Sequence, residues 1–341
     1  VNGYERIQAV FDGEWPDKVP VMLHNFMMAA REAGYSMAEY RSDPEKIARA
    51  FIQSVETYEY DGILVDIDTV TLAGAVGVPV DFPEYEPARS NRGNITSLEM
   101  VRDLEPVDII EYEYVRNLLE AVRLIKKYFG DEVFLRGNCD QDPFSLASMM
   151  RSPQEWMMDL YDTEHRDLVF GLLEHCTDVT KQFIRLMSET GAHMVSNGDS
   201  PAGPELISPQ MYEEFALPYE KRVVEEAHRL GLPYGLHICG DTSLIIQKML
   251  ETGTDAVELD YKTDSELAHS VCRDRVVFIG NIDPSGVIAL GTAETVQSAV
   301  RNLLEIYGDS PRFILNAGCA IPPTTRPENI KTLIETARSF R

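Results

Sequence analysis

Residues 233–260, PYGLHICGDTSLIIQKMLETGTDAVELD, hold one full turn of the chain's architecture. PYGLHIC (233–239) is a short apolar run of strand type. SLIIQKMLETG has helical periodicity and stops at Gly253, and AVELD (256–260) is a second strand-type run. The same alternation appears on both sides. Further runs are VPVMLHN (19–25), DGILVDID (61–68), VFLRGN (133–138), AHMVSNGD (192–199), VVFIGNID (276–283) and FILNAGC (313–319). Helical patterns lie between them. One opens on Asp43 as cap with Pro44 at the first helical position, another on Ser208 with Pro209. Others stop at Gly130 and Gly308.

Eight such runs alternating with helices predict an α/β fold with a parallel sheet. The count fits a closed (β/α)8 TIM barrel, and the chain, 1–341, is expected to be a single domain of this kind. The stretch from 69 to 130 is long for one strand-to-helix connection, so extra helical elements are expected in the N-terminal part, over the barrel mouth. The C-terminal ends of the runs carry Asn25, Asp68, Asn138, Asp199, His237 with Cys239, Asp260, Asp283 and Cys319. In a barrel those ends converge on one face, where active sites lie. No G-x-G-x-x-G follows a strand and no G-x-x-x-x-G-K-S/T is present, so nucleotide-binding readings lose their usual support.

The net charge is −25, with no block of Lys or Arg. Nucleic acid and anionic membrane surfaces are therefore poor partners. No stretch approaches a transmembrane span and no leader is visible at the N-terminus. Five cysteines do not make a disulfide framework in a chain of this length. A reducing, cytoplasmic setting is expected. Cys176 and Cys272 sit in helix-like stretches and read as small buried hydrophobes.

His237 and Cys239 lie two positions apart on one strand, so they share a face. Cys319, eighty residues on, ends the last run. Together they make a Cys2His set, which suits zinc with one position open, the pattern of a catalytic site. Glu258 and Asp260, on the next strand, are candidates for the fourth zinc position in the resting enzyme, or for a hydrogen bond to the ligating histidine. Asp66 and Asp68 share a strand face and need an explanation, because charges are seldom buried without partners. Pairing with Arg136 is one explanation; substrate binding, proton handling or support of a metal ligand are others, and Asp68 lies nearer the strand tip. Asp199 and Asn138 are further pocket candidates that could instead satisfy loop backbone. The pairs Met27/Met28, Met149/Met150 and Met157/Met158 read either as core or as the lining of an adaptable cavity.

Several segments make the chain resemble the uroporphyrinogen decarboxylase superfamily, in its zinc-dependent, corrinoid-linked methyltransferase branch. They are DGILVDIDT, NCDQDPFSLASMMRSPQEWM, SNGDSPAGPELISPQMYEEFALPY, GLHICGDTSLIIQKMLETGTDAVELD, FIGNIDPSGVI and NAGCAIPPTTRPENIKTLIETAR. The resemblance implies a (β/α)8 barrel and Zn2+ held by His237, Cys239 and Cys319. It also implies methyl transfer between a corrinoid (cobalamin), carried by a separate small corrinoid-binding protein, and a small-molecule methyl donor or acceptor such as a thiol. Relatives of this kind often dimerise, and no segment here locates such an interface. The decarboxylases hold a tetrapyrrole's carboxylates with paired arginines near the N-terminus. The matching stretch here, HNFMMAAREAGYSM, offers only Arg31. Asp68 falls where those enzymes keep an aspartate. Decarboxylation of a tetrapyrrole is therefore the second reading. A small-molecule binding barrel without turnover is the third, and a zinc hydrolase using Asp260 or Glu258 as base is the fourth.

Overall fold

The computed structural model describes residues 1–340. Eight parallel strands form one sheet: β1 (Met22–Leu23), β2 (Gly62–Val65), β3 (Phe134–Gln141), β4 (Met194–Gly198), β5 (Tyr234–Ile238), β6 (Ala256–Leu259), β7 (Val277–Ile282) and β8 (Phe313–Ala317). Neighbours in the sheet are neighbours in sequence. A parallel bridge between Val21 and Leu315 joins the last strand to the first, and Leu315 N–H donates to the Pro20 carbonyl. The sheet closes, so no edge is left unpaired. The fold is the (β/α)8 barrel that the alternation predicts.

Each expected strand is present; most are cut back by one to three residues at their ends, while the one expected at 133–138 runs on to Gln141. The helix expected after Asp43 spans Pro44–Tyr58, with the Asp43 carboxylate accepting from Glu45 N–H. The one expected at Ser208 spans Pro209–Phe215, with its cap on Met211 N–H. The long connection after β2 folds into a short helix (Thr71–Ala75), a small antiparallel hairpin (Val80–Asp81 with Arg89–Ser90), two 3₁₀ segments (Leu98–Asp103 and Ile109–Glu111) and the helix Glu113–Phe129. The insertion is thus partly helical and partly irregular.

Alternation sorts the barrel interior into layers. The lower layer is apolar: Met22, Phe134, Met194, Ala256, Val277, Ile279 and Ile314 pack together, and Ile7 and Val10 of the N-terminal helix (Gly3–Asp12) plug this end. Gly62 leaves the room the plug needs, since a Cβ there would stand 2.7 Å from the Ile7 side chain. Two residues beyond Phe134, Met194 and Ala256 the interior turns polar, with Arg136, Ser196 and Glu258. The next step brings His24, Asp66, Asn138 and His237 to a cavity of about 300 Å3 at the C-terminal ends of the strands. A smaller cavity of about 210 Å3 lies elsewhere, around Trp15, Lys18 and Phe340, and holds no cluster of ligand-type side chains. Among the described residues no helix is long and apolar enough to cross a membrane. All five cysteines are free thiols, and Cys176 and Cys272 are buried in helices.

Candidate metal centre

His237 is the penultimate residue of β5 and its ring is fixed from behind: Nδ1 donates to the Glu258 backbone carbonyl at 3.0 Å. That bond turns Nε2 toward Cys239, whose Sγ lies 2.9 Å away. Cys319 follows β8 and brings its Sγ to 3.7 Å from that of Cys239. The three donor atoms all lie within 4.8 Å of one another. Cys239 N–H donates to Ser200 Oγ at 3.3 Å, which ties the loop carrying the thiol to the turn after β4.

The electrostatics favour a thiolate at Cys239. The hydrogen bond from the Cys319 thiol pulls its pKa down, burial opposes this, and His237 adds to the pull, leaving it at about 3. Cys319, as the donor, is pushed well above the usual thiol range. Burial works against a charged His237, but the Cys239 thiolate and Glu258 outweigh it and raise the imidazole to about 9. Without a metal the group is an imidazolium–thiolate pair with a second thiol leaning on it.

This donor set fits zinc. Two sulfurs on a tetrahedral zinc stand about 3.8 Å apart, and the observed separation is 3.7 Å. A nitrogen–sulfur edge would be about 3.5 Å, so the imidazole must back away by roughly half an ångström as a metal replaces the proton it shares with Cys239.

Glu258 and Asp260 are not in the group. The Glu258 carboxylate lies below it, with Oε1 3.4 Å from His237 Nδ1 and Oε2 paired to the Arg136 guanidinium. Arg136 is 2% exposed and Glu258 1%. Burial alone would raise this acid, but Arg136, followed by His237 and His24, brings it down to about 2. Asp260 accepts Gly240 N–H at 2.9 Å and Lys262 N–H at 3.1 Å, and so shapes the loop after Cys239. The structure thus places both carboxylates outside the three-donor group, each engaged by a local partner.

The opposite wall is acidic. Asp66 accepts from Asn138 Nδ2 at 2.8 Å and pairs with His24 Nε2 at 2.9 Å. Its partner is thus His24, and Arg136 belongs to Glu258. Asp68 Oδ1 takes Val70 N–H and Thr71 Oγ–H, both at 2.9 Å. Burial, with Asp66 adding, lifts Asp68 to about 6. Asp140 sits at φ +62°. It accepts Leu72 N–H at 2.6 Å and Gln141 Nε2–H at 3.0 Å, and burial first, then Asp68, push it well above the usual carboxylate range.

Three expected pocket residues lie elsewhere. Asp199 is fully buried behind the barrel wall, held by Ser145 N–H at 2.7 Å and Ser145 Oγ–H at 2.6 Å. Ser196 and Gly198 face inward on β4, so Asp199 has the opposite parity. Asn25 points outward to Ser54 Oγ. Asp283 caps the turn that follows β7. Of the six paired methionines only Met27 lines the cavity.

His24, Asp140 and Gln141 line the cavity and were not singled out from the sequence. A signal was present for two of them: His24 is two residues from the inward Met22, and Asp140 is two from Asn138. Which inward residue reaches the cavity depends on the strand's stagger, which a single strand does not reveal.

A family model described as uroporphyrinogen decarboxylase (URO-D) matches residues 2–340. Methylcobamide:CoM methyltransferase MtbA of Methanosarcina mazei is 29% identical over 314 residues, covering 91% of this chain and 88% of that protein. The protein of the same name from Methanosarcina acetivorans is 27% identical, covering 99% and 98%. A uroporphyrinogen decarboxylase from Tolumonas auensis is 26% identical, covering 95% and 93%. The solved structure of a methyltransferase from Methanosarcina mazei aligns over 98% of both chains with a TM-score of 0.89 at 22% identity, a likeness of fold. The chain belongs to the uroporphyrinogen decarboxylase family.

Proposed function

We propose that this chain is a zinc-dependent methyltransferase. It moves a methyl group between a corrinoid, carried by a separate small protein that docks at the barrel mouth, and a small thiol or other methyl donor or acceptor. The observation that carries the reading is the Cys2His group: three soft donors within 4.8 Å of one another, facing a cavity at the C-terminal end of the barrel. The methylcobamide:CoM methyltransferases among the similar proteins support it.

Zinc held by His237, Cys239 and Cys319 supplies Lewis acidity, which keeps a thiol deprotonated or polarises a methylated heteroatom. The chain's own residues prepare the site. The Glu258 carbonyl fixes the tautomer of His237. Arg136 neutralises the Glu258 carboxylate beneath the ring. Asn138 orients Asp66, and Asp68 presents its second oxygen to the bound molecule. Two thiolates with a neutral imidazole neutralise a divalent ion, which favours a nucleophilic bound thiolate over an acidified water, and so transfer over hydrolysis.

Tetrapyrrole decarboxylation is not favoured. A substrate with several carboxylates needs free cations, and the one guanidinium lining the cavity is already paired. Arg31 lies outside that cavity and donates to the Pro323 carbonyl at 2.9 Å.

The test is metal content of the protein purified without added metal, for the wild type and for Cys239→Ala/Cys319→Ala. The wild type should hold about one zinc per chain and the variant almost none. The wild type alone should then demethylate methylcobalamin in the presence of a thiol, read from the cobalamin absorbance. Zinc content that is low, or unchanged in the variant, would sink the reading.

A further inference from the structure

The cavity in front of the metal group is one-sided in charge. Four carboxylates line it, Asp66, Asp68, Asp140 and Glu258, against one guanidinium, Arg136. That guanidinium is spent, since Arg136 is locked to Glu258 by an ion pair and to Ser196 Oγ at 2.7 Å. His24 is engaged by Asp66. Among the described residues no other Lys or Arg lines the cavity, and Arg41, whose charge acts on Asp68 from outside it, donates to the Pro83 and Glu86 carbonyls. The acids are not equivalent. Both oxygens of Asp66 and both of Asp140 accept hydrogen bonds. Asp68 is 2% exposed, its Oδ1 has two donors, and no donor reaches Oδ2. A carboxylate oxygen that no protein donor reaches, on the cavity wall and in a side chain otherwise buried, with a second acid at its side, is a receptor for a positive group.

We propose that the small molecule presented to His237, Cys239 and Cys319 carries an ammonium group, received by Asp68 with Asp140 beside it. This rests on the methyl-transfer reading and narrows its substrate class: the donor or acceptor is an amine-bearing compound, and an anionic tail is rejected. An ammonium there gains charge-assisted hydrogen bonds that a hydroxyl makes only weakly. A sulfonate or carboxylate meets like charge at low dielectric.

Three mercaptans with the same two-carbon spacer isolate the charge: 2-aminoethanethiol, 2-mercaptoethanol and 2-mercaptoethanesulfonate. Calorimetry on zinc-loaded and metal-free protein gives their affinities, and methyl transfer from methylcobalamin gives their turnover. The aminothiol should bind at least about tenfold more tightly than the alcohol, with the sulfonate weakest. The order should persist without zinc, because Asp68 sets it. In Asp68→Asn the aminothiol's advantage should shrink to about threefold or less. A flat order, a sulfonate that binds as well as the aminothiol, or an order untouched by Asp68→Asn would each overturn the proposal. The two readings fail separately. If the binding order holds but none of the three accepts a methyl, transfer to thiols is wrong and the charge preference stands. If the sulfonate is methylated best, the preference is wrong and the transfer reading stands.

Discussion

Two sets of three buried acids lie on either side of the barrel wall. Asp66, Asp68 and Asp140 face the cavity. Asp142, Asp199 and Glu220 lie behind it, each 0% exposed. The second set has only neutral donors: Tyr234 O–H on Asp142 at 2.9 Å, Ser145 on Asp199, and Tyr212 O–H on Glu220 at 2.5 Å. Burial, reinforced by mutual repulsion, pushes Asp142 and Glu220 well above the usual carboxylate range, and burial lifts Asp199 to about 6. Composition does not separate the two sets. What separates them is what each oxygen faces: other protein groups in the sealed set, and in the cavity set one oxygen that faces nothing of the protein. Glu258 is the control for both, an equally buried acid held at about 2 by a guanidinium.

The hardest blow to this comparison is to remove the control's partner. Arg136→Met leaves the Glu258 carboxylate buried without a counter-charge, and the expected loss is about 3–5 kcal/mol of folding stability. Glu258 is depressed in the folded state. The stability it contributes is therefore present above the ordinary carboxylate pKa and lost as pH falls from about 4.5 through about 2. Denaturant melts at pH 7 should show the deficit, and Arg136→Met/Glu258→Gln should recover most of it. If the double variant is no more stable than the single one, the damage is loss of packing and the ion pair is not the cause.

A smaller effect, and a sharper one, comes from Asp68→Asn. The substitution keeps shape, removes the charge that faces the cavity, and is expected to lower kcat/KM for an amine-bearing substrate by about 10- to 100-fold, the worth of one charge-assisted hydrogen bond. Stability should not fall. Asp68 is raised to about 6 in the folded state, so folding grows less favourable as pH climbs from about 4 toward 6, and the amide removes that penalty. Turnover that is unchanged across pH 5–8 would show that Asp68 belongs with the structural acids.

Much of this was legible in the chain. The eight strands follow from apolar runs with polar tips, and His237, Cys239 and Cys319 from their positions at those tips. The partition of the acids was not. Asp68 and Asp199 each end an apolar run, and each lies two residues beyond another polar side chain. Asp199 has the outward parity on β4, set by Met194, Ser196 and Gly198 facing in, and parity is fixed by partner strands rather than by the run itself. Pairing failed for the same reason. Asp66 and Arg136 look like natural partners, but β2 pairs Leu64 with Arg136, so Asp66 sits one layer higher, beside Asn138 and His24. Which acid a guanidinium reaches depends on stagger around the whole barrel.

The gentlest prediction isolates the sealed set. Asp199 Oδ2 and Glu220 Oε1 meet no N–H or O–H donor, and the two side chains contact each other, so one of them must carry a proton. Glu220, pushed the higher of the two, is the carrier, and Asp199→Asn keeps a carbonyl for Ser145 while removing the charge that Asp199 takes on above about pH 6. In the wild type Asp199 releases its own proton near pH 4 in the unfolded chain and at about pH 6 in the folded one, while Glu220 holds its proton well above that, so stability should fall as pH rises through that interval. The variant should be flatter there and, at pH 7, more stable by roughly 2 kcal/mol. Because the cluster does not open into the cavity, zinc content and methyl transfer should stay within about twofold of wild type. The same isosteric change thus relieves a buried charge on either side of the wall, yet only at Asp68 should it cost turnover. If Asp199→Asn lost activity without losing stability, the wall would transmit what happens behind it, and the two sets would have to be treated as one.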